Sequence, residues 1–160
     1  MSGKVSSEGV RTYKCRSIVK GAGKVSGEAI VSRGAMCFYL CDPQTGTVIE
    51  RNHPIQGRSI AGKILVLESG KGSSVVQVDG FYQLWTKGAL PGAIILREAE
   101  PVIVSAAVVV GTTMVDRVEG DVYELIHDGD FVEVDADAEE IRVGTDMLPL
   151  LKHGTPDKSS

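Results

Sequence analysis

No apolar run in this 160-residue chain approaches the roughly 20 residues that span a bilayer; "PVIVSAAVVVG" is among the longest and stops well short. The start, "MSGKVSSEGVR", lacks the apolar segment of a signal peptide. There is no basic stripe either. The 17 Lys and Arg are interspersed among 21 Asp and Glu, for a net charge of -4, so neither a nucleic-acid footprint nor a polybasic membrane contact is present. Cysteine is scarce and odd in number: Cys15, Cys37 and Cys41 cannot all pair as a secreted disulfide framework would, and reduced thiols are expected. These absences point to a soluble, cytoplasmic protein with no nucleic-acid or membrane partner.

The same scarcity limits metal chemistry. Cys37 and Cys41 have a spacing that two thiolate ligands could use, but no second pair follows, and both read as small buried hydrophobes. His53, His127 and His153 are isolated from one another and read as loop or surface residues. The acidic stretch "DGDFVEVDADAEE" alternates with valine and alanine as a solvated strand and turn does, without the ligand register of a calcium loop.

What the chain does have is 42% hydrophobic content at the length of one ordinary domain. The Ser/Gly-rich start, 1–11, is expected to be disordered, the core to run over 12–143, and the tail over 144–160 to be flexible. "YKCRSIVKG" and "GEAIVSRG" read as strands flanking the loop "GAGKVSG", and "TGTVIE" as another after the turn "CDPQTG". "GKILVLES" and "GAIILRE" are continuous apolar runs of the kind buried on both faces. Between them Val78, Phe81, Tyr82 and Trp85 fall near helical spacing and Gly88 suits a helix stop, which makes a strand, helix, strand crossover. "PVIVSAAVVVG" fits a second crossover helix by Pro101, Ala106 and Ala107, although its valines also suit a strand. "TTMVDRV", "DFVEVDA" and "EIRV" supply late strands. The expected fold is a single α/β domain with a mixed sheet and crossover helices.

Three glycine-containing segments invite a phosphate reading. "GRSIAGKI" nearly matches a nucleotide-binding loop, but Ile64 stands where a hydroxyl is needed and the lysine enters a strand. "GAGKVSG" has no strand, helix, strand frame around it. The turn "SGKGSS" is better placed, at the carboxyl end of a buried strand and the start of a helix, where free N–H groups favour anions. Gly70 and Gly72 permit close backbone approach, Lys71 adds a point charge, and Ser73 or Ser74 can cap the helix. The residues alone leave this serine between a helix cap and a reactive group, with no activating side chain adjacent in sequence.

The segments "GEAIVS", "DPQTGTVIERNHPIQGRSIAGKILVLESGKGSS", "GALPGAIILREAEPVIVSAAVV" and "IHDGDFVEVDADAEEIRV" together resemble the aconitase X swivel domain. The resemblance runs over nearly the whole presumed core. It implies a swivelling β/β/α fold and the role of a small subunit in a hydro-lyase, dehydrating a small hydroxy acid such as mevalonate 5-phosphate or cis-3-hydroxy-L-proline. It further implies a large partner subunit that carries an iron–sulfur cluster, absent from this chain, where the metal acts as Lewis acid on the departing hydroxyl. Ser73, the first serine after "GKG", takes the place of the family's serine base, with Gly70, Lys71, Gly72 and Ser74 as its oxyanion cradle. A chain of this kind is expected to be inactive alone. Two departures from the family pattern, Leu40 and Cys41 at glycine positions and "VVQVDG" after Ser74, leave the substrate open. Two other readings are a non-catalytic binding module that keeps the fold and a phosphohistidine-type swivel domain; the latter's Thr-Ser-His signature is missing here.

Overall fold

The two continuous apolar runs become neighbouring strands at the centre of a sheet, β5 (Ile64–Leu67) and β6 (Ala93–Leu96), each buried at every position. The computed structural model describes residues 4–5, 9–21 and 23–144. Among these, the other strands are β1 (Lys4–Val5), β2 (Arg11–Lys14), β3 (Arg16–Val19), β4 (Lys24–Val31), β7 (Thr113–Asp116), β8 (Phe131–Asp135) and β9 (Glu140–Gly144). The helices are α1 (Ser74–Thr86), α2 (Pro101–Val110) and the single turn α3 (Val122–Leu125), with one 3-10 turn over Phe38–Leu40. The sheet order is β1-β2-β9-β8-β4-β5-β6-β7-β3.

That order contains a parallel half and an antiparallel half that share β4. Its first five residues pair antiparallel with β8, and Ala29–Val31 pair parallel with β5. β5, β6 and β7 continue the parallel half, joined by α1 and α2 as crossovers, and β3 closes it antiparallel on β7. Cys15 alone separates β2 from β3, yet these strands lie toward opposite ends of the strand order. One residue reaches only about 3.3–3.6 Å, so the sheet must roll until its two ends meet.

Rolling produces three layers. Ile64, Val66, Ala93, Ile95 and Val115 point inward against Tyr13, Val132, Val134, Ile141 and Val143 of the antiparallel half. Their sequence neighbours Leu65, Leu67, Ile94, Leu96 and Met114 point the other way, against Phe81 and Leu84 of α1 and Ile103, Ala106 and Ala107 of α2. Period-two alternation on strands buried on both faces thus builds one core between the sheet halves and another under the helices. This is the β/β/α arrangement expected from the resemblance.

Several local expectations need correction. "YKCRSIVKG" is two strands, because the chain changes sheet half at Cys15. Part of "GAGKVSG" is strand rather than loop, since Lys24–Gly27 pair with β8 in spite of the local glycines. "TGTVIE" forms only single bridges, Cys41 to Val48 and Thr47 to Ser59, inside a long connection that no strand edge receives. In α1 the buried stripe is Gln77, Gly80, Phe81 and Leu84, whereas Tyr82 and Trp85 are about half exposed, at 51% and 53%. Lys4–Val5 pair with β2, so part of the 1–11 stretch expected to be disordered is strand. The 144–160 tail lies outside the described residues beyond Gly144. No helix among the described residues is long and apolar enough to cross a membrane.

Candidate functional site

β5 ends at Leu67 and the chain turns through 68–73 into α1, along the carboxyl edge of the parallel strands. Three sets of contacts hold this turn. Met36 N–H donates to Ser69 O at 3.0 Å and Lys71 N–H to Met36 O at 3.1 Å, a one-residue parallel bridge. The Ser69 hydroxyl donates to Glu98 O at 2.7 Å, tying the turn to the end of β6. The fully buried Gln77 side chain donates to Met36 O and Lys71 O, at 3.1 and 3.2 Å, and accepts from Phe38 N–H at 2.7 Å. A buried amide with all these partners fixes the loop around 36–38 against the turn.

The glycines have separate reasons. A Cβ on Gly70 would lie 2.6 Å from Ile103 Cβ, so this glycine lets α2 close on the turn. Gly72 has φ +104, a conformation that L side chains rarely adopt, and a Cβ there would meet Cys37 Sγ at 3.1 Å.

Ser73 follows as the N-cap of α1, exposed, with its Oγ accepting from Val76 N–H at a long 3.4 Å. The N–H groups of Gly72, Ser73, Ser74 and Val75 have no acceptor among the described residues. Four unbonded donors of 72–75 and the positive end of a 13-residue helix therefore belong to the stretch that carries this hydroxyl. Ser74, in the first turn of the helix, is also exposed.

The Lys71 ammonium is not free: it forms an ion pair with Glu50 Oε2. Glu50 Oε1 is buried without a hydrogen-bond partner among the described residues. Sequence reading missed both Glu50 and Gln77. Neither lies in a motif, and Gln77 reaches across to residues 36 and 38 through a contact that spacing does not encode.

The remaining sequence candidates fall elsewhere or serve structure. Cys37 and Cys41 are buried, and burial, with Cys37 and Glu50 beside it, pushes the Cys41 thiol up to about 12. Cys15 sits at the seam between the sheet halves, pushed up to about 12 by burial and by Glu139 and other carboxylates. No group of three or more His, Cys, Asp or Glu among the described residues is placed to hold a metal ion, so an iron–sulfur cluster does not fit these side chains. His53 is buried, not on a surface; its Nδ1 accepts from Ile55 N–H at 3.2 Å, which leaves Nε2–H to donate to Ala35 O at 2.9 Å. His127 is exposed beside Asp130, and His153 lies outside the described residues. Lys63 of the nucleotide-loop look-alike pairs with Glu28 at 2.8 Å. In the acidic stretch Glu133 departs from a solvated role, being buried in an ion pair with Arg142.

Residues 12–143 match the family described as the aconitase X swivel domain. A phosphomevalonate dehydratase small subunit of Methanocella arvoryzae is 43% identical over 117 residues, 72% of this chain and 88% of the relative. That of Methanothermobacter thermautotrophicus is 43% identical over 129 residues, 80% of this chain and 96% of the relative. The crystal structure of Thermococcus kodakaraensis aconitase X in its holo form superposes with a TM-score of 0.74 at 41% identity, covering 82% of this chain and 97% of that one.

Proposed function

This chain belongs to the aconitase X swivel-domain family, and we propose that it is the small subunit of a dehydratase that supplies Ser73 as a base to a site shared with a large partner subunit. The observation that carries the reading is the exposed, weakly bonded Ser73 hydroxyl among four unbonded N–H groups at the start of α1. Since relatives covering most of this chain are named phosphomevalonate dehydratase small subunits, mevalonate 5-phosphate is favoured over cis-3-hydroxy-L-proline as substrate.

The chemistry asked of this chain is removal of a proton next to a carboxylate. A serine hydroxyl near neutral pH is too weak a base, but its alkoxide is strong enough. In that form Ser73 Oγ takes the proton as the C–H bond breaks; the electron pair becomes the new C=C bond, the neighbouring group leaves as hydroxide, and hydroxide with the proton now on Oγ makes the water released and restores the alkoxide. Negative charge on Oγ strengthens its bond from Val76 N–H and is further stabilised by the helix start. The N–H groups of Gly72 and Ser74 are the backbone part of the cradle. Gly70 contributes by admitting α2, and Lys71 by its charge, shared with Glu50. The iron–sulfur cluster of the complex belongs, in this reading, to the large partner subunit.

The test is co-expression with the large subunit and an assay of water elimination from both acids. The complex is expected to dehydrate mevalonate 5-phosphate, and the small chain alone neither acid. Turnover of cis-3-hydroxy-L-proline in preference would overturn the substrate, activity of the small chain alone would overturn the shared site, and a stable but inactive complex would favour a binding module.

A further inference from the structure

A second group of side chains shares the carboxyl edge of the parallel strands with Ser73. Arg33 follows β4, Arg97 follows β6 and Arg117 follows β7, and all three are exposed. The Arg33 guanidinium lies 4.5 Å above the ring of Tyr123, and that of Arg97 lies 6.0 Å from the same ring. Tyr123 is buried and anchored by its hydroxyl, which donates to Ser32 O at 2.8 Å. Arg97 and Arg117 line a cleft of about 340 Å³ between the ends of β6 and β7. Crevices at the carboxyl ends of parallel strands are where open α/β sheets bind ligands.

Most carboxylates nearby are engaged elsewhere. Asp116 receives Arg16 through two hydrogen bonds of 2.9 and 2.8 Å. Asp121, which also lines the cleft, accepts from Tyr123 N–H at 3.0 Å as the cap of α3. Glu68 is the exception, an ion pair with Arg97 at 3.5 Å, so that cation is shared with one carboxylate. Arg33 and Arg117 have no carboxylate partner among the described residues. Arg117 is held at φ +53, uncommon outside glycine. On a chain of net charge -4, two unpaired guanidiniums and a third shared with Glu68, around one aromatic ring and one cleft, have the chemistry that recognises an anion.

The chain links this group to the serine turn. Residues 33–36 run from Arg33 to the bridge between Met36 and Gly70, and Glu68, the partner of Arg97, begins the turn that ends at Ser73. A short-chain acid with its reactive carbons at Ser73 would carry a distal anionic group to the arginines.

We propose that Arg33, Arg97 and Arg117 bind the phosphate of a phosphorylated small hydroxy acid whose reactive end meets Ser73. The second half of this statement rests on the function proposed above; the anion site itself does not. The first test is titration of the full chain with inorganic phosphate at constant ionic strength, followed by NMR of the arginine side chains. A saturable shift at Arg33, Arg97 and Arg117, weakened about tenfold or more in the doubly substituted R97Q/R117Q chain, is expected. Weak, non-saturating shifts spread over all arginines would overturn the site. The second test uses the complex with its large subunit. In R97Q/R117Q the KM for the phosphorylated acid should rise about ten- to a hundredfold, and the preference in kcat/KM over the unphosphorylated acid should fall by a similar factor. Equal losses on both acids would contradict the phosphate assignment while leaving Ser73 untouched. Conversely, full turnover by a Ser73→Ala complex that still depends on the arginines would remove the base and leave the anion site standing.

Discussion

Both crossover helices of the parallel half begin just beyond a central strand, but the two starts are finished differently. At α2, Pro101 removes one N–H outright and the Glu100 carboxylate accepts from Ile103 N–H at 2.7 Å, whereas the bond to the cap carbonyl is common to both starts, from Val104 N–H to Glu100 O and from Gln77 N–H to Ser73 O. The negative cap also opposes the helix dipole, so little capacity for an external anion remains. At α1 the cap is a neutral serine at 3.4 Å, preceded by a glycine of positive φ and accompanied by four unbonded N–H groups. One helix start is closed to anions by its own carboxylate. The other is left open at the edge where Lys71, Glu50 and the arginine cleft lie.

Giving α1 a cap like that of α2 should have the largest effect. Ser73→Asp fills the donors with a charge and repels an incoming carboxylate; turnover of the complex is expected to fall by about a hundredfold or more, while unfolding free energy stays within about 1 kcal/mol of the native value. Retained turnover in that variant would erase the functional contrast between the two helix starts. Next comes Gln77→Leu, which strips Phe38 N–H, Met36 O and Lys71 O of a buried partner. A loss of about 2–3 kcal/mol in urea unfolding is expected, together with reduced turnover from a misplaced turn. A stability change under about 0.5 kcal/mol would show that the open start does not depend on this amide.

Glu100→Ala addresses the closed start. It should cost about 1 kcal/mol of stability with only a small change in turnover, the reverse of the Ser73 pattern. Smallest is a pH effect behind the turn. The Cys41 thiol is pushed up from 9.0 to about 12, chiefly by burial. The folded state therefore holds this proton more tightly than the unfolded chain, and its contribution to stability is full below about pH 9 and lost as pH rises toward about 12. Urea midpoints should fall over that interval, and less steeply in Cys41→Ala; identical slopes would contradict the assignment.

The closed start was easier to read than the open one. Pro101 with Ala106 and Ala107 marks α2, and the buried runs of β5 and β6 with Gly88 bracket α1, because local periodicity and punctuation carry those elements. A serine cap was legible too, with Ser73 and Ser74 both open, and Ser73 takes the place. Its surroundings were not: Gln77 acts on residues about forty positions away, Glu50 arrives from a long connection that mimics a strand, and Arg33, Arg97 and Arg117 meet only because three parallel strands end together. "GAGKVSG" was misread for the same reason, since pairing with β8 outweighs what its glycines suggest locally. The family's serine position could be transferred by motif, whereas the groups that hold and surround it needed the rolled sheet.

The most direct measurement is kcat of the complex carrying Ser73→Ala, with native folding and partner binding checked on the same sample. A proton acceptor at Ser73 predicts a fall of about 10²- to 10⁴-fold in kcat, against a cap loss of about 1 kcal/mol in stability. If kcat stays within a few fold of the native complex, Ser73 is only the cap of α1 and the base lies elsewhere.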